Sequence, residues 1–178
     1  DAVTYASNIT FSGKGIKATV HSPFGTGTLE NASLGDFNLS NLLAVLTSLC
    51  LLGIPFEEGL NTLSSLKTPP GRMQMLGGNG KPIIIVDYAH TPDALEKTLK
   101  SLRSHCEGKL WCVFGCGGNR DTTKRPLMGK IVETYADYAV ITSDNPRHEN
   151  PNDIIEHIVS GLAINSTAII DPDRRNAI

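Results

Sequence analysis

Two arginines and an aspartate follow neighbouring predicted strands in the second half of the chain. Arg120 comes directly after a glycine-rich loop, 115–118, while Asp144 and Arg147 lie on the next loop. A guanidinium binds a carboxylate through two parallel hydrogen bonds, and Asp144 would prefer an ammonium group. This set fits a zwitterionic amino acid that carries more than one carboxylate, and a solvated cluster of ion pairs is the alternative interpretation.

The glycine loop permits close approach of the backbone to a neighbour or ligand. It is not a phosphate loop, because no Gly-Lys-Ser/Thr follows, and no third glycine opens the next helix as a dinucleotide fingerprint requires. We interpret Cys116 within it as a small loop residue. The four cysteines lack zinc-site spacing and predict reduced thiols of a cytoplasmic protein; they are Cys50, Cys106, Cys112 and Cys116.

Three residues nearer the middle of the chain could bind a nucleotide. Asp87 ends a predicted strand, where a carboxylate can accept hydrogen bonds from a ribose diol or lie beside a metal; a cap or salt bridge is the alternative. His90 precedes a helix N-terminus, which disfavours an imidazolium, so it could contact a ligand or be structural. Arg72 could reach a phosphate or form an interdomain salt bridge.

Asn38 and Asn41 lie three residues apart near the start of a predicted helix. Their amide groups could hydrogen-bond an adenine edge. Alternatively, Asn38 is only the helix cap and Asn41 only a polar position on the helix surface.

The second half of the chain alternates strands with helices. Strands are predicted at 82–86, 110–114, 138–142 and 168–170, and the first is a continuous apolar, β-branched run typical of a strand buried on both faces. Thr91-Pro92 and Asn150-Pro151 predict helix starts, a third helix spans about 123–136, and another begins at Asp173. The pattern predicts a parallel α/β sheet with right-handed crossovers, whose ligands bind beyond the carboxyl ends of the strands.

The first half has a different pattern. Short strands are predicted from Asp1 to about Ser33, then a helix that opens near Asn38 and ends at Gly53. Pro55 suits the first position of a second helix, and a domain boundary follows at 68–71.

Composition excludes several classes of function. The chain has 178 residues, 40% hydrophobic and 19% charged, with a net charge of −2, so no basic field favours nucleic acid. The longest apolar run, 42–54, is too short for a membrane span and predicts a buried helix. There is no signal peptide pattern, and the abrupt ends suggest a piece of a longer protein; the oligomeric state is left open.

Several segments together resemble the Mur ligase family. Residues 35–41 (GDFNLSN), 70–73 (PGRM) and 87–93 are similar to the junction of the central and C-terminal domains of these enzymes. Residues 115–121, 124–129 (KRPLMG) and 144–147 (DNPR) are similar to the branch that uses diaminopimelate. The resemblance covers essentially the whole chain in order and spacing. It implies the α/β class: a Rossmann-like, mostly parallel C-terminal domain (71–178, truncated), preceded by the last strands and helices of the central ATP-binding domain (1–70).

The resemblance also implies roles for individual residues. Asn38 and Asn41 would lie by the adenine, Arg72 on the phosphates and Asp87 on the ribose, with Tyr88 and His90 nearby. Diaminopimelate would be bound by Arg120, Asp144, Asn145, Pro146 and Arg147. Lysine-adding relatives differ at the position of Arg147.

The implied reaction is ATP-dependent addition of meso-2,6-diaminopimelate to UDP-N-acetylmuramoyl-L-alanyl-D-glutamate in peptidoglycan synthesis. ATP phosphorylates the D-glutamate γ-carboxylate, and the diaminopimelate amine attacks the acyl phosphate, with Mg²⁺ bridging phosphates. The family's phosphate loop, carbamylated lysine and metal ligands lie upstream of Asp1, and a further substrate-binding segment lies beyond Ile178. Because the phosphate loop is missing, we expect the isolated chain to be inactive; we assign no residue of it with certainty to catalysis, and none to metal binding.

Two other functions are compatible with parts of this pattern. One is a different superfamily member, either the lysine-adding ligase or a folylpolyglutamate synthase, against which Arg147 argues. The other is a non-catalytic α/β module that binds an amino acid or a nucleotide.

Overall fold

A computed structural model describes residues 3–78 and 80–178. The chain divides into two compact units, the first unit (Asp1–Tyr88) and the second unit (Ala89–Ile178). The first two residues of the predicted β-rich region lie outside the described residues.

The first unit opens with three antiparallel strands in sequential order. They are β1 (Tyr5–Ser12), β2 (Gly15–Ser22) and β3 (Gly25–Asn31). Along β2, Ile16, Ala18 and Val20 are buried, as expected for alternate residues on one face of a sheet. Leu29 of β3 pairs with Ala18 and extends the same core.

Two helices, α1 (Asp36–Leu51) and α2 (Phe56–Ser65), each contribute one set of buried side chains to this core. From α1 come Leu39, Leu42, Leu46 and Cys50, and from α2 come Phe56, Leu60 and Leu63. The prediction that Asn38 caps α1 is wrong. The N-cap is Gly35, whose φ of 97° suits glycine, and Asn38 lies within the first turn, where its amide donates to the carbonyl oxygen of Leu34 at 2.7 Å.

The predicted end of α1 is confirmed. Gly53 has a φ of 92°, its N–H donates to Cys50, and the N–H of Ile54 donates to Leu49. This pair of bonds is the Schellman motif, which satisfies the last helical carbonyls. Pro55 was predicted at the first helical position but is the N-cap of α2, one residue earlier.

The ribbon of β4 (Gln74–Gly77) and β5 (Ile83–Val86) completes the first unit. These strands are antiparallel, with Gln74 opposite Val86. Two predictions are wrong here: β5 pairs with β4 rather than joining the parallel sheet, and it is not buried on both faces, since Ile84 is 54% exposed. The end residues of β5 are also accessible, since Ile83 is 47% and Val86 is 42% exposed.

The second unit contains a parallel sheet in the order β6 (Trp111–Phe114), β7 (Tyr138–Ile141) and β8 (Ile169–Ile170). The sheet therefore has three of the four predicted strands. Its helices are α3 (Pro92–Arg103), α4 (Lys124–Tyr135), α5 (Pro151–Val159) and α6 (Arg174–Ala177). The predicted caps are confirmed, because Thr91 accepts from the N–H of Ala94 and Asn150 from that of Asn152.

The core of the second unit lies between the helices and one face of the sheet. Phe114 and Ile141 supply the strand side, and the helical side is formed by Leu95, Leu99, Met128, Val132, Ile154, Ile155 and Ile158. Helices α4 and α5 approach closely, since a Cβ on Gly129 would lie 2.4 Å from the carbonyl oxygen of Ile158. Across residues 3–78 and 80–178, no helix is long and apolar enough to cross a membrane.

Candidate functional site

The loops that follow β6 and β7 lie against each other at the carboxyl ends of these strands. A Cβ on Gly115 would lie 2.3 Å from the carbonyl oxygen of Thr142, and one on Gly118 would lie 1.9 Å from that of Pro146. Only glycine permits such close backbone contact. The sequence predicts that three polar loops, 87–93, 115–121 and 143–148, share one edge of a sheet. This is confirmed for the loops at 115–121 and 143–148, but it is wrong for 87–93, because β5 is not a strand of the parallel sheet.

Direct hydrogen bonds join the two loops. The N–H of Gly118 donates to the carbonyl oxygen of Asn145 at 2.8 Å, and Arg147 donates from Nη1 to the carbonyl oxygen of Gly118 at 2.6 Å. The N–H of His148 donates to Oδ1 of Asn119 at 3.0 Å. The Arg147 guanidinium is thereby fixed beside the glycine loop, although the residue is exposed.

Two non-glycine residues at this edge have left-handed backbones. Asn119 has a φ of 52° and Arg147 a φ of 50°. Asparagine tolerates this region, whereas arginine rarely adopts it. Strained backbone of this kind clusters at functional sites, where surrounding contacts hold it in place.

A buried ion pair, which the sequence did not single out, supports both loops. Arg125 of α4 is fully buried and donates to Glu149 through a fork, from Nη1 at 2.8 Å and from Nη2 at 2.9 Å. Its Nη1 also lies 2.9 Å from Nδ1 of His157, which must be the acceptor because a guanidinium only donates. Glu149 in turn accepts from the N–H of Asn119, on the glycine loop.

Charge and burial shift two pKa values here. The hydrogen bonds from Arg125 and then from the backbone of Asn119 lower the pKa of Glu149 to about 2. Burial raises the pKa of the Cys116 thiol to about 11, with Arg125 and Lys124 opposing the shift and Asp144 adding to it. Cys116 is therefore a protonated, buried thiol near the Asp144 carboxylate.

Contacts within the second unit bring together only some of the residues that are predicted to bind the amino acid. Asp144, Asn145 and Pro146 lie on the loop that contacts the glycine loop, and Arg147 is bonded to it. Arg120 follows the glycine loop and is exposed, as are Asp144 and Asn145. These exposed groups present two cations, one carboxylate and one amide along a single edge.

The first unit brings together three of the predicted nucleotide contacts. Asp87 accepts through Oδ2 from the N–H of Met73 at 2.9 Å, and the guanidinium of Arg72 lies 4.6 Å above the ring of Tyr88. Met73 is buried with a φ of 47°. The contacts of Met73 with Asp87 and of Arg72 with Tyr88 thus place a carboxylate, a cation and an aromatic ring at one end of the β4–β5 ribbon.

The other predicted nucleotide contacts lie elsewhere along the chain. Asn38 and Asn41 occupy the start of α1, where the amide of Asn41 lies 3.4 Å from Oδ1 of Asn38. His90 belongs to the second unit, and its carbonyl oxygen accepts from Nζ of Lys124 at 3.1 Å. Among the described residues, no three His, Cys, Asp or Glu side chains are grouped so that they could hold a metal ion.

The segment that contains the parallel sheet and both of its loops matches a known class of enzymes. The sequence profile of the Mur ligase glutamate ligase domain matches residues 71–178. The chain belongs to the Mur ligase family.

Two curated relatives and one solved structure to which the chain is similar carry the same name. The chain is 50% identical over 173 residues to UDP-N-acetylmuramoyl-L-alanyl-D-glutamate–2,6-diaminopimelate ligase of Coxiella burnetii, covering 97% of this chain and 35% of that protein. Its identity to the ligase of that name from Haemophilus influenzae is also 50%, over 97% of this chain and 36% of that protein. A solved structure of a ligase with this name superposes with a TM-score of 0.73 at 37% identity, over 99% of this chain and 36% of that chain. The chain thus spans about a third of the length of these relatives.

Proposed function

We propose that this chain is the part of a UDP-N-acetylmuramoyl-L-alanyl-D-glutamate:meso-2,6-diaminopimelate ligase that contacts adenosine and selects the incoming amino acid. The whole enzyme would be an ATP-dependent, ADP-forming ligase of cytoplasmic peptidoglycan synthesis, and so would serve cell shape and division. The observation that carries the proposal is the pairing of the Asp144–Arg147 loop with the glycine loop, which fixes Arg147 beside Gly118. The 50% identity to ligases of this name supports it.

Diaminopimelate differs from lysine by one additional carboxylate, so its selection requires an additional cation. Nη1 of Arg147 donates a hydrogen bond to the carbonyl oxygen of Gly118, and the remaining N–H groups of the guanidinium can bind the distal carboxylate. Arg120 is placed by sequence to bind the second carboxylate, and Asp144 to hold an ammonium group. Asn145 and Pro146 keep the loop against Gly118.

We assign the nucleotide contacts to residues on either side of a domain boundary at 70/71, where the family profile begins. Asp87 is suited to the ribose and Arg72 to a phosphate, with Tyr88 and His90 nearby. Asn38 and Asn41 are suited to the adenine. Bound ATP would supply the phosphoryl group that activates the D-glutamate γ-carboxylate of the UDP-linked substrate.

The family reaction also uses Mg²⁺. The described residues of this chain offer no cluster of three carboxylate, His or Cys side chains that would fit such an ion. From the family resemblance we propose that the Mg²⁺ ligands lie outside this chain and that this chain contributes binding and orientation.

The test is substrate selection by a full-length ligase that carries this segment. Phosphate release should require ATP, the UDP-linked dipeptide and meso-diaminopimelate. The Arg147→Ala variant should raise the KM for diaminopimelate. The expected loss of binding free energy is about 2 kcal/mol, which is the lower end of the range for a charge-assisted pair, because Arg147 is exposed. The neighbouring exposed His148→Ala is the matched control. Equal turnover with L-lysine, or an unchanged KM in Arg147→Ala, would contradict the proposal.

A binding module without catalysis makes a different prediction. Calorimetry of the 178-residue chain would then detect diaminopimelate or ATP binding, while the longer ligase would show no turnover that depends on diaminopimelate.

A further inference from the structure

Two arginine–carboxylate pairs hold the second unit, one at each end of the parallel strands. At the amino ends, Asp137 accepts from Nη2 of Arg103 at 2.7 Å and from the N–H of Leu110 at 2.7 Å. At the carboxyl ends, Glu149 accepts the fork of Arg125 and the N–H of Asn119. Each carboxylate therefore joins one guanidinium to one backbone N–H across neighbouring segments.

The arginines of the two pairs differ sharply in burial, whereas the carboxylates do not, since Asp137 is 29% and Glu149 27% exposed. The side chain of Arg103 is 41% exposed, whereas that of Arg125 is 0% exposed. The Nε atom of Arg125 is buried and has no hydrogen-bond partner among the described residues. A buried charge is costly unless it is paired in good geometry, and a hydrophobic replacement is often neutral or stabilising. Stability alone therefore gives a weak reason for a buried arginine at this place.

The contacts of the buried pair lie on the loops of the proposed amino-acid site. Arg125 points Nη2 at the carbonyl oxygen of Gly117 at 3.4 Å, and Glu149 holds the N–H of Asn119. Glu149 also ends the turn that contains Arg147, since its own N–H donates to the carbonyl oxygen of Pro146 at 3.0 Å. The pair thus connects the backbone on both sides of Gly118 with the backbone beside Arg147.

We propose that Arg125 and Glu149 are positioning residues for diaminopimelate. They fix the glycine loop relative to the Asp144–Arg147 loop, so that the guanidinium of Arg147 stands where the distal carboxylate of the substrate binds. Neither residue touches the substrate. This inference rests on the proposed function.

The test compares Glu149→Gln with Asp137→Asn in the full-length ligase. Both changes replace a paired carboxylate by an amide of the same shape. Glu149→Gln should raise the KM for diaminopimelate by about tenfold to a hundredfold, because a small misplacement of a binding group is costly, and leave the KM for ATP within about twofold. Asp137→Asn should change neither KM. Equal KM values for diaminopimelate in the two variants would overturn the proposal.

Glu149→Gln leaves a buried guanidinium poorly paired and could prevent folding. A double variant, Arg125→Met with Glu149→Leu, removes both charges and their loop contacts while keeping apolar packing. We expect it to fold and to show the same rise in KM. If it folds and binds diaminopimelate like the unmodified enzyme, the pair is structural only.

A readout independent of turnover separates this inference from the proposed function. Backbone amide NMR signals of Gly117, Gly118 and Asn119 should shift on Glu149→Gln and stay in place on Asp137→Asn. If these signals shift but the unmodified ligase never uses diaminopimelate, the proposed function fails. If the unmodified ligase uses diaminopimelate but the signals and the KM do not respond to Glu149→Gln, only this inference fails.

Discussion

Arg147 donates from Nη1 to the carbonyl oxygen of Gly118 over 2.6 Å, while the N–H of Gly118 donates to the carbonyl oxygen of Asn145 over 2.8 Å. The two loops therefore hold each other through one side-chain and one backbone contact at the same glycine. Because Arg147 also has a left-handed backbone, its side chain is directed by the loop rather than by a regular element. A small change in the glycine loop should therefore alter binding more than stability.

Gly117→Ala tests this relationship. A Cβ on Gly117 would lie 2.9 Å from Nη1 of Arg147, which is the far end of a flexible side chain. We expect the guanidinium to move aside, so that the KM for diaminopimelate rises by about tenfold while the unfolding midpoint changes little. Steady-state kinetics and a thermal melt measure both quantities.

Gly108→Ala is the matched control for that variant, because a Cβ there would lie within 4 Å of no described residue other than its own chain neighbours. It should leave both quantities unchanged. A Gly117→Ala variant with the KM of the unmodified ligase would show that the position of Arg147 does not govern amino-acid binding.

Asp87 is expected to have separable roles in folding and in nucleotide binding. It accepts from the N–H of the buried Met73, so Asp87→Ala should leave that donor unsatisfied and cost about 1–3 kcal/mol of unfolding free energy. Asp87→Asn keeps an acceptor oxygen and should cost much less. Both variants should weaken ATP binding, since an amide accepts fewer hydrogen bonds from a ribose diol than a carboxylate. Urea unfolding and calorimetry with ATP distinguish the two effects, and unchanged ATP affinity in both variants would remove Asp87 from the nucleotide site.

Acid should weaken the second unit through Glu149. The pairing with Arg125 lowers the pKa of this carboxyl from 4.5 to about 2 in the folded protein. The unfolded chain therefore takes up a proton first as the pH falls, so the contribution is fully present above about pH 5 and is lost progressively towards pH 2. The free energy of unfolding, measured with urea from pH 7 to pH 2.5, should fall less steeply in the Arg125→Met, Glu149→Leu variant.

Other carboxylates add to the same slope. The pKa of Asp137 is also lowered, by the N–H of Leu110 and then by Arg103. Asp137→Asn should therefore reduce the slope in its own right, and its effect should add to that of the double variant because the pairs share no residue. An unchanged slope in the double variant would mean that Glu149 is not charged in the way its contacts imply.

Features set by neighbouring residues could be predicted from the sequence. The caps at Thr91 and Asn150 and the helix end at Gly53 were correct because each depends on a few adjacent residues. The prediction that Asn38 caps α1 was wrong because it relied on the side chain, which suits a cap. The backbone conformation that starts the helix belongs to Gly35. The partner of β5 could not be predicted, since an apolar run carries no information on which strand it pairs with.

The Arg125–Glu149 pair beneath the candidate site could not be predicted for a similar reason. Arg125 lies in a Lys-Arg-Pro segment at a helix start, which is typical of an exposed turn, and its partner Glu149 is 24 residues away. The position of Glu149, two residues after Arg147 and directly before the Asn150-Pro151 cap, was the available signal. Arg120, Asp144 and Arg147 could be proposed from their chemistry, and Asn145 and Pro146 from the family resemblance, but the buried pair that joins the two loops required coordinates.

If Arg125 and Glu149 position the amino-acid site as proposed, their contacts limit how amino-acid preference can be transferred between enzymes. Residues 144–147 are contiguous, but their support comes from α4 and from the turn before α5. Transferring those four residues to an enzyme that lacks the buried pair would reproduce the chemical groups without the contacts that orient them. Under the proposed function, the unit that determines amino-acid specificity is therefore the pair of loops together with the buried Arg125–Glu149 pair, and residues 144–147 are only its exposed part.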